Sequence, residues 1–182
     1  LNHRLTGEWR DSVASQVAYL PFDFKRQTWA AGWDWKWQGL PLRRDQLTDL
    51  VPVGAVLGRV TAAAAMATGL PQGLPVVAAG ADKACEVAGC GAVTPDIAAL
   101  SYGTTATIDI TTPRYLEPLP FVPPYPALAA GQYNTELQIF RGYWLVSWFK
   151  DQFGQPEVAE AQAAGVSPEA LIDRLVAAVP PG

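Results

Sequence analysis

Between Val76 and Ile110 the chain sets a short apolar run, an aspartate, a small-residue helix and a turn reading Gly103-Thr104-Thr105 in close succession. Few folds accommodate that order. Pro75 and Gly80 bound the run Val76 to Ala79, which is too short for a helix and predicts a strand buried on both faces. Asp82 then opens the next helix. From Ala98 to Ile110 the pattern predicts two strands around Gly-Thr-Thr, with Ala106, Ile108 and Ile110 on one side and Thr107 and Asp109 on the other. A carboxylate at the carboxyl end of a strand, followed by a turn rich in backbone N–H groups and hydroxyls, suits phosphoryl transfer to an alcohol. The carboxylate accepts the proton, and the turn holds phosphate oxygens.

Each of these residues also has a plainer reading. Asp82 before Lys83-Ala84-Cys85-Glu86 suits a helix N-cap, and Gly103-Thr104-Thr105 suits an ordinary hairpin turn. Glu86, one turn after Asp82, either shares its face or pairs with Lys83. On local pattern alone the plainer reading of Asp82 leads, and the chemical one gains weight from the turn's position after the strand-terminal aspartate, with Gly89 and Gly91 allowing close packing between them. Cys85 and Cys90 stand about 7.5 Å apart along a helix axis and point away from each other, so they predict reduced core thiols, not a disulfide. They have no CxxC spacing for zinc, and His3 is the only histidine, so a histidine-dependent triad is excluded. Neither GxGxxG nor GxxxxGK[ST] occurs.

The rest of the chain reads as alternating helix and strand, which favours an α/β layer. Leu1 to Trp9 predicts a helix end running through Gly7 into an extended piece, then a polar loop from Asp11 to Gln16. Trp29, Trp33, Trp35 and Trp37 form an aromatic concentration that reads as satellite packing or as a sugar-stacking wall. Asp45 to Leu50 predicts a short polar helix, and Gly54 to Val60 an extended segment with Val56 and Val60 turned inward. Thr61 caps a helix over Ala62 to Thr68 that stops at Gly69. Six prolines make Pro113 to Pro126 an irregular connection. A strand over Gln138 to Phe140 precedes a helix over Gly142 to Phe153, ended by Gly154-Gln155-Pro156, and a terminal helix runs from Ser167 to Val179.

With 49% hydrophobic residues among 182, the chain has enough apolar material for a packed core, and a net charge of -4 disfavours nucleic-acid and anionic-membrane partners. No apolar run reaches the roughly 18 to 20 residues of a membrane span, and no signal-peptide pattern is read at the start. The expected compartment is the cytoplasm. The chain starts at Leu1, its one methionine is Met66, and it ends on Pro180-Pro181-Gly182, which together suggest part of a longer protein.

Gly80-Ala81-Asp82-Lys83, Gly89-Cys90-Gly91-Ala92-Val93 and Leu100-Ser101-Tyr102-Gly103-Thr104-Thr105, in this order and spacing, resemble the central part of the FGGY carbohydrate kinases. Leu5 to Ser12 is similar to a segment of that family's first domain, and Ser147 to Asp151 to the first helix of its second. The resemblance implies an α/β, actin-like (ribonuclease H-like) ATPase fold, present in part as the end of domain I, residues 1–93, and the start of domain II, residues 94–182. It further implies that ATP with Mg2+ phosphorylates a sugar or polyol. Asp82 falls on the family's general base, Gly103, Thr104 and Thr105 on its phosphate-binding turn, and Gly142 near a nucleotide-contacting glycine. Lys83 stands where relatives place a glutamine beside the base, so a cation would face the substrate. The family's first phosphate loop, of Asp-x-Gly-Thr type, and its Gly-Gly adenosine motif are absent from these residues. The isolated segment is therefore expected to have little or no activity and to need the remainder of a kinase. A homodimer is compatible with the sequence. The competing expectations are a non-catalytic remnant or binding module with the same fold, and another actin-like ATPase without a sugar substrate.

Overall fold

The computed structural model describes residues 1–17 and 21–180. They form two compact units, one of residues 1–100 with 108–137, the other of residues 101–107 with 138–180. The first begins with helix α1 (Asn2–Thr6), which ends at Gly7 and leads into strand β1 (Arg10–Ser12). Strands β2 (Phe22–Asp23) and β3 (Thr28–Trp29) pair antiparallel, and β4 (Asp49–Val51) pairs parallel with β1. This overturns the helix expected over Asp45 to Leu50. Only Arg44–Gln46 turns helically, as a 3-10 element, while Asp49 to Val51 is drawn straight by hydrogen bonding to β1.

Strand β5 (Val56–Arg59) and helix α2 (Ala62–Thr68) follow. The Thr61 hydroxyl accepts the Ala64 N–H at 3.2 Å, and Gly69 closes the helix at φ 77°. Strand β6 (Pro75–Val77) pairs antiparallel with β5 in a two-stranded ribbon. It is not buried on both faces as expected, since Val77 is 50% exposed. The ribbon gives the strand one neighbour and leaves its other side open. Val60 is buried as expected, whereas Val56 is exposed.

Helix α3 (Asp82–Gly89) buries Ala84 and Val87. Ala84 joins Phe22, Phe24 and Tyr125 in the main core, against which Val13, Trp29, Leu50 and Tyr115 pack, and Val87 joins Ala92 and Ala99 in a smaller one. Cys85 and Cys90 lie on the exposed side of the helix end, which corrects their reading as core thiols.

Strands β7 (Ala98–Tyr102), β8 (Ala106–Thr112), β9 (Tyr125–Pro126) and β10 (Tyr133–Ile139) form a sheet in the order β7-β8-β10-β9. The alternation along β8 is as read, yet its buried side is the polar one. Thr107, Asp109 and Thr111 are buried while Ile108 is exposed.

In the second unit, α4 (Trp144–Gln152), α5 (Gln155–Ala164) and α6 (Pro168–Ala177) follow one another. Pro156 both stops α4 and sits in the first turn of α5, where a missing N–H costs nothing. An ion pair between Lys150 and Glu169 ties α4 to α6. The Ser167 hydroxyl caps α6 by accepting the Ala170 N–H, as expected. Of the stop read at Pro180-Pro181-Gly182, the last two residues lie outside the described residues.

Candidate functional site

Asp82 is the first residue of α3, not its cap. Ala81 holds the cap position in extended conformation, and the Asp82 carboxylate accepts the Lys83 N–H at 2.7 Å. The side chain is exposed, so a hydroxyl-bearing molecule can reach it. The helix start is anchored from behind by an Ala81 N–H that donates to the Ala14 carbonyl at 2.8 Å. Ala14 belongs to the short turn after β1, whose N–H is held by the buried Ser12 hydroxyl. The polar segment Asp11 to Gln16 therefore packs against the base of Asp82.

Lys83 donates to Glu86 Oε2 at 2.7 Å, so Glu86 pairs with the lysine one turn away. Partial burial opposes the Lys83 charge, but the Glu86 hydrogen bond and the negative field of Glu86, Asp109 and Glu136 outweigh it. The ammonium pKa consequently lies above the ordinary lysine range. A permanent cation thus follows Asp82 in sequence.

Behind it lies a polar network that the residue pattern did not single out. Tyr125 donates its phenol to the buried Asp109 carboxyl at 2.7 Å, and Thr111 donates to the Ala92 carbonyl or to Asn134 Oδ1. Glu136 is pushed above its ordinary value by burial and then by the charge of Asp109, with Lys83 opposing. The Tyr125 phenol is pushed up strongly, first by burial and then by Asp109. The available signal was Asp109 within a period-two strand, but alternation does not say which face is inward.

The sign of the tyrosine effect yields a prediction. A phenol whose folded pKa exceeds the ordinary value of 10.0 contributes stability that is whole below that pH and is lost as pH rises beyond it. Tyr125→Phe removes that contribution and costs about 1 to 3 kcal/mol at neutral pH, because Asp109 loses a buried donor. Urea midpoints measured from pH 8 to 11 should start lower in the variant and fall less steeply. The remaining slope comes from Tyr115, whose phenol is also raised, by partial burial and by Glu117, and from the raised Lys83 ammonium.

In the second unit, Gly103, Thr104, Thr105 and Gly142 are brought together, although 36 or more positions separate Gly142 from the turn in sequence. Gly142 N–H donates to the Thr104 carbonyl and Tyr143 N–H to the Gly103 carbonyl, both at 2.9 Å, while Gly103 N–H donates to the Thr105 carbonyl at 2.8 Å. The turn's carbonyls are thereby drawn toward the start of α4. None of these bonds uses the Thr104 or Thr105 hydroxyls. Gly142 is buried in this contact, and a Cβ on it would stand 2.1 Å from the Gly103 oxygen. Arg141, one residue earlier, lies 5.4 Å over the Trp144 ring and adds a cation beside the turn, which the residue pattern did not flag.

Among the described residues no three His, Cys, Asp or Glu side chains gather to hold a metal ion. No helix among them is long and apolar enough to cross a membrane.

The mixed α/β order and the turn closed by a helix start are those of an actin-like ATPase fold, present here in part. A solved xylulose kinase from Rhodospirillum rubrum superposes on all of this chain and on 35% of its own length, with a TM-score of 0.77 and 26% identity. In sequence the chain is 34% identical to an uncharacterized sugar kinase of Escherichia coli K12, YgcE, over all of this chain and 37% of that protein. It is 32% identical to an autoinducer-2 kinase of Yersinia enterocolitica over 78% of this chain and 27% of that protein. No protein-family model matches. By sequence and fold the chain is similar to part of these sugar kinases, and it spans about a third of the length of the relatives it matches.

Proposed function

We propose that this segment forms the centre of an FGGY-type carbohydrate kinase that transfers the γ-phosphoryl group of ATP to a sugar or polyol hydroxyl. The observation that carries this reading is the assembly of the Gly103-Thr104-Thr105 turn, exposed at Gly103 and Thr104, with the buried Gly142, in a chain homologous to sugar kinases and bearing an accessible aspartate at a helix start. Residues 1–93 would end the substrate-side domain and residues 94–182 begin the nucleotide-side domain. Asp82 accepts the proton of the attacking hydroxyl, which raises the nucleophilicity of the oxygen as it approaches phosphorus. Gly103, Thr104 and Thr105 hold phosphate oxygens through N–H and hydroxyl donors, and Gly142 fixes the turn against α4. Lys83, held by Glu86, is the cation next to Asp82 and bears on which substrate hydroxyls or which acidic group are recognised. ATP supplies the phosphoryl group. Mg2+ is expected from the resemblance, but the described residues offer it no ligand cluster, so no step is routed through it.

The remainder of the kinase is the first partner, since this segment supplies only part of the walls that exclude water. The unpaired Cys85 and Cys90 suit a reducing cytoplasm. The test is ADP release from ATP by a chain of the relatives' full length that contains this segment, measured over a panel of sugars, polyols and sugar acids. Release that depends on one acceptor class supports the reading. Release that is indifferent to every acceptor overturns it in favour of a different actin-like ATPase.

A further inference from the structure

The aromatic concentration near Trp35 has a geometry that the kinase reading does not absorb. Trp35 is 62% exposed, on the 3-10 turn Trp35–Gln38, and Phe121 is 93% exposed with its backbone at φ 65°. A bulky aromatic in the left-handed region is uncommon, and such strain persists only where the surroundings hold it. Here they do. The Phe121 N–H donates to Glu117 Oε1 at 2.9 Å, and the Leu119 to Val122 bridge closes the loop around it. The other carboxylate oxygen of Glu117 accepts the Tyr115 hydroxyl at 2.9 Å, and Tyr115 packs edge-on against Tyr133. One carboxylate therefore fixes two aromatic walls.

These walls and Trp35 line a single cavity of about 310 Å3, floored by Phe24 and Pro123. Its size is at the small end of ligand pockets. Its charged lining is balanced, with Asp23 and Glu117 against Lys25 and Lys36. Lys36, which also pairs with Asp34 at 3.3 Å, stands 5.6 Å from the centre of the Trp35 indole, and both residues line the cavity. A flat ring with an apolar CH face and a rim of hydroxyls meets all of these features, because it stacks on aromatic faces while its hydroxyls both donate to carboxylates and accept from ammonium groups. The lining carries no net charge to favour a phosphorylated or cationic ligand over a neutral one.

We propose that this cavity is a second carbohydrate site, binding a neutral pyranose ring between Trp35 and Phe121, separate from the phosphoryl-acceptor site at Asp82. The probes are D-glucose, D-galactose and methyl β-D-galactopyranoside, followed by saturation-transfer NMR and tryptophan fluorescence on the whole chain. The expected result is saturable binding of a pyranose with transfer to its ring CH protons, about tenfold weaker in Trp35→Ala and in Phe121→Ala, and unchanged in Asp82→Asn. Both aromatic variants replace exposed side chains, and circular dichroism confirms that each is folded. Binding that survives both substitutions, or that is lost in Asp82→Asn alone, overturns the proposal. So does the absence of saturable binding by all three sugars, or a concentration-dependent dimer that Phe121→Ala dissolves, which would make a second copy of the chain the occupant.

Discussion

Gly142→Ala is expected to destabilise the unit of residues 101–107 and 138–180 by about 3 kcal/mol. The added Cβ would sit 2.1 Å from the Gly103 carbonyl oxygen and 2.7 Å from the Thr105 carbonyl group. All of these are backbone atoms, so no rotamer change relieves the contact. Either the Gly103 to Thr105 turn or the start of α4 must move, and the bonds from Gly142 and Tyr143 to the turn lengthen or break. Hydrogen exchange should show loss of protection at the Gly142 and Tyr143 amides, with residues 1–100 unaffected. Gly103→Ala is the control. A Cβ there meets nothing within 4 Å, so stability should change by less than about 0.5 kcal/mol. If Gly103→Ala nonetheless weakens ATP binding in a full-length chain, the space above Gly103 is used by the nucleotide and not by the fold.

Asp82→Asn is expected to lower kcat for sugar phosphorylation by about 10² to 10⁴ in a chain of the relatives' full length, with KM for ATP nearly unchanged. Asparagine retains the size of the side chain and an oxygen able to accept the Lys83 N–H, so α3 keeps its start. What it cannot do is accept the proton of the attacking hydroxyl. Folding should be unaltered, because the carboxylate is exposed and is not the helix cap. This separates the chemical role from the plainer one. A loss of helix stability with turnover preserved would mean that Asp82 serves α3 alone.

The parts legible in the sequence were those fixed by local chemistry. Thr61 and Gly69 bracket α2, Ser167 starts α6, and Gly-Thr-Thr turns β7 into β8, each because a few neighbouring residues determine the backbone. The misread parts depend on distant partners. Residues 49–51 become a strand only by pairing with residues 10–12, and no local signal announces a parallel neighbour. The polar side of β8 is inward because Tyr125, 16 positions later, brings Asp109 a donor. Pro156 was read as a stop, yet the same missing N–H makes it a starter for α5. In the candidate site, the pattern pointed to Asp82 and the Gly-Thr-Thr turn, and the resemblance added Lys83 and Gly142. The contact between Gly142 and the turn is a tertiary event that spacing does not encode.

The central claim is that this segment serves transfer of phosphate to an alcohol, with Asp82 as the base. Phosphorus-31 NMR of ATP incubated with a full-length chain and each member of the acceptor panel tests it most directly, because it shows where the γ-phosphoryl group goes. The account predicts a new sugar phosphate monoester resonance that grows with ADP, appears for one acceptor class and is lost in Asp82→Asn. Inorganic phosphate released at the same rate with and without acceptor, and in both the parent chain and Asp82→Asn, would contradict it.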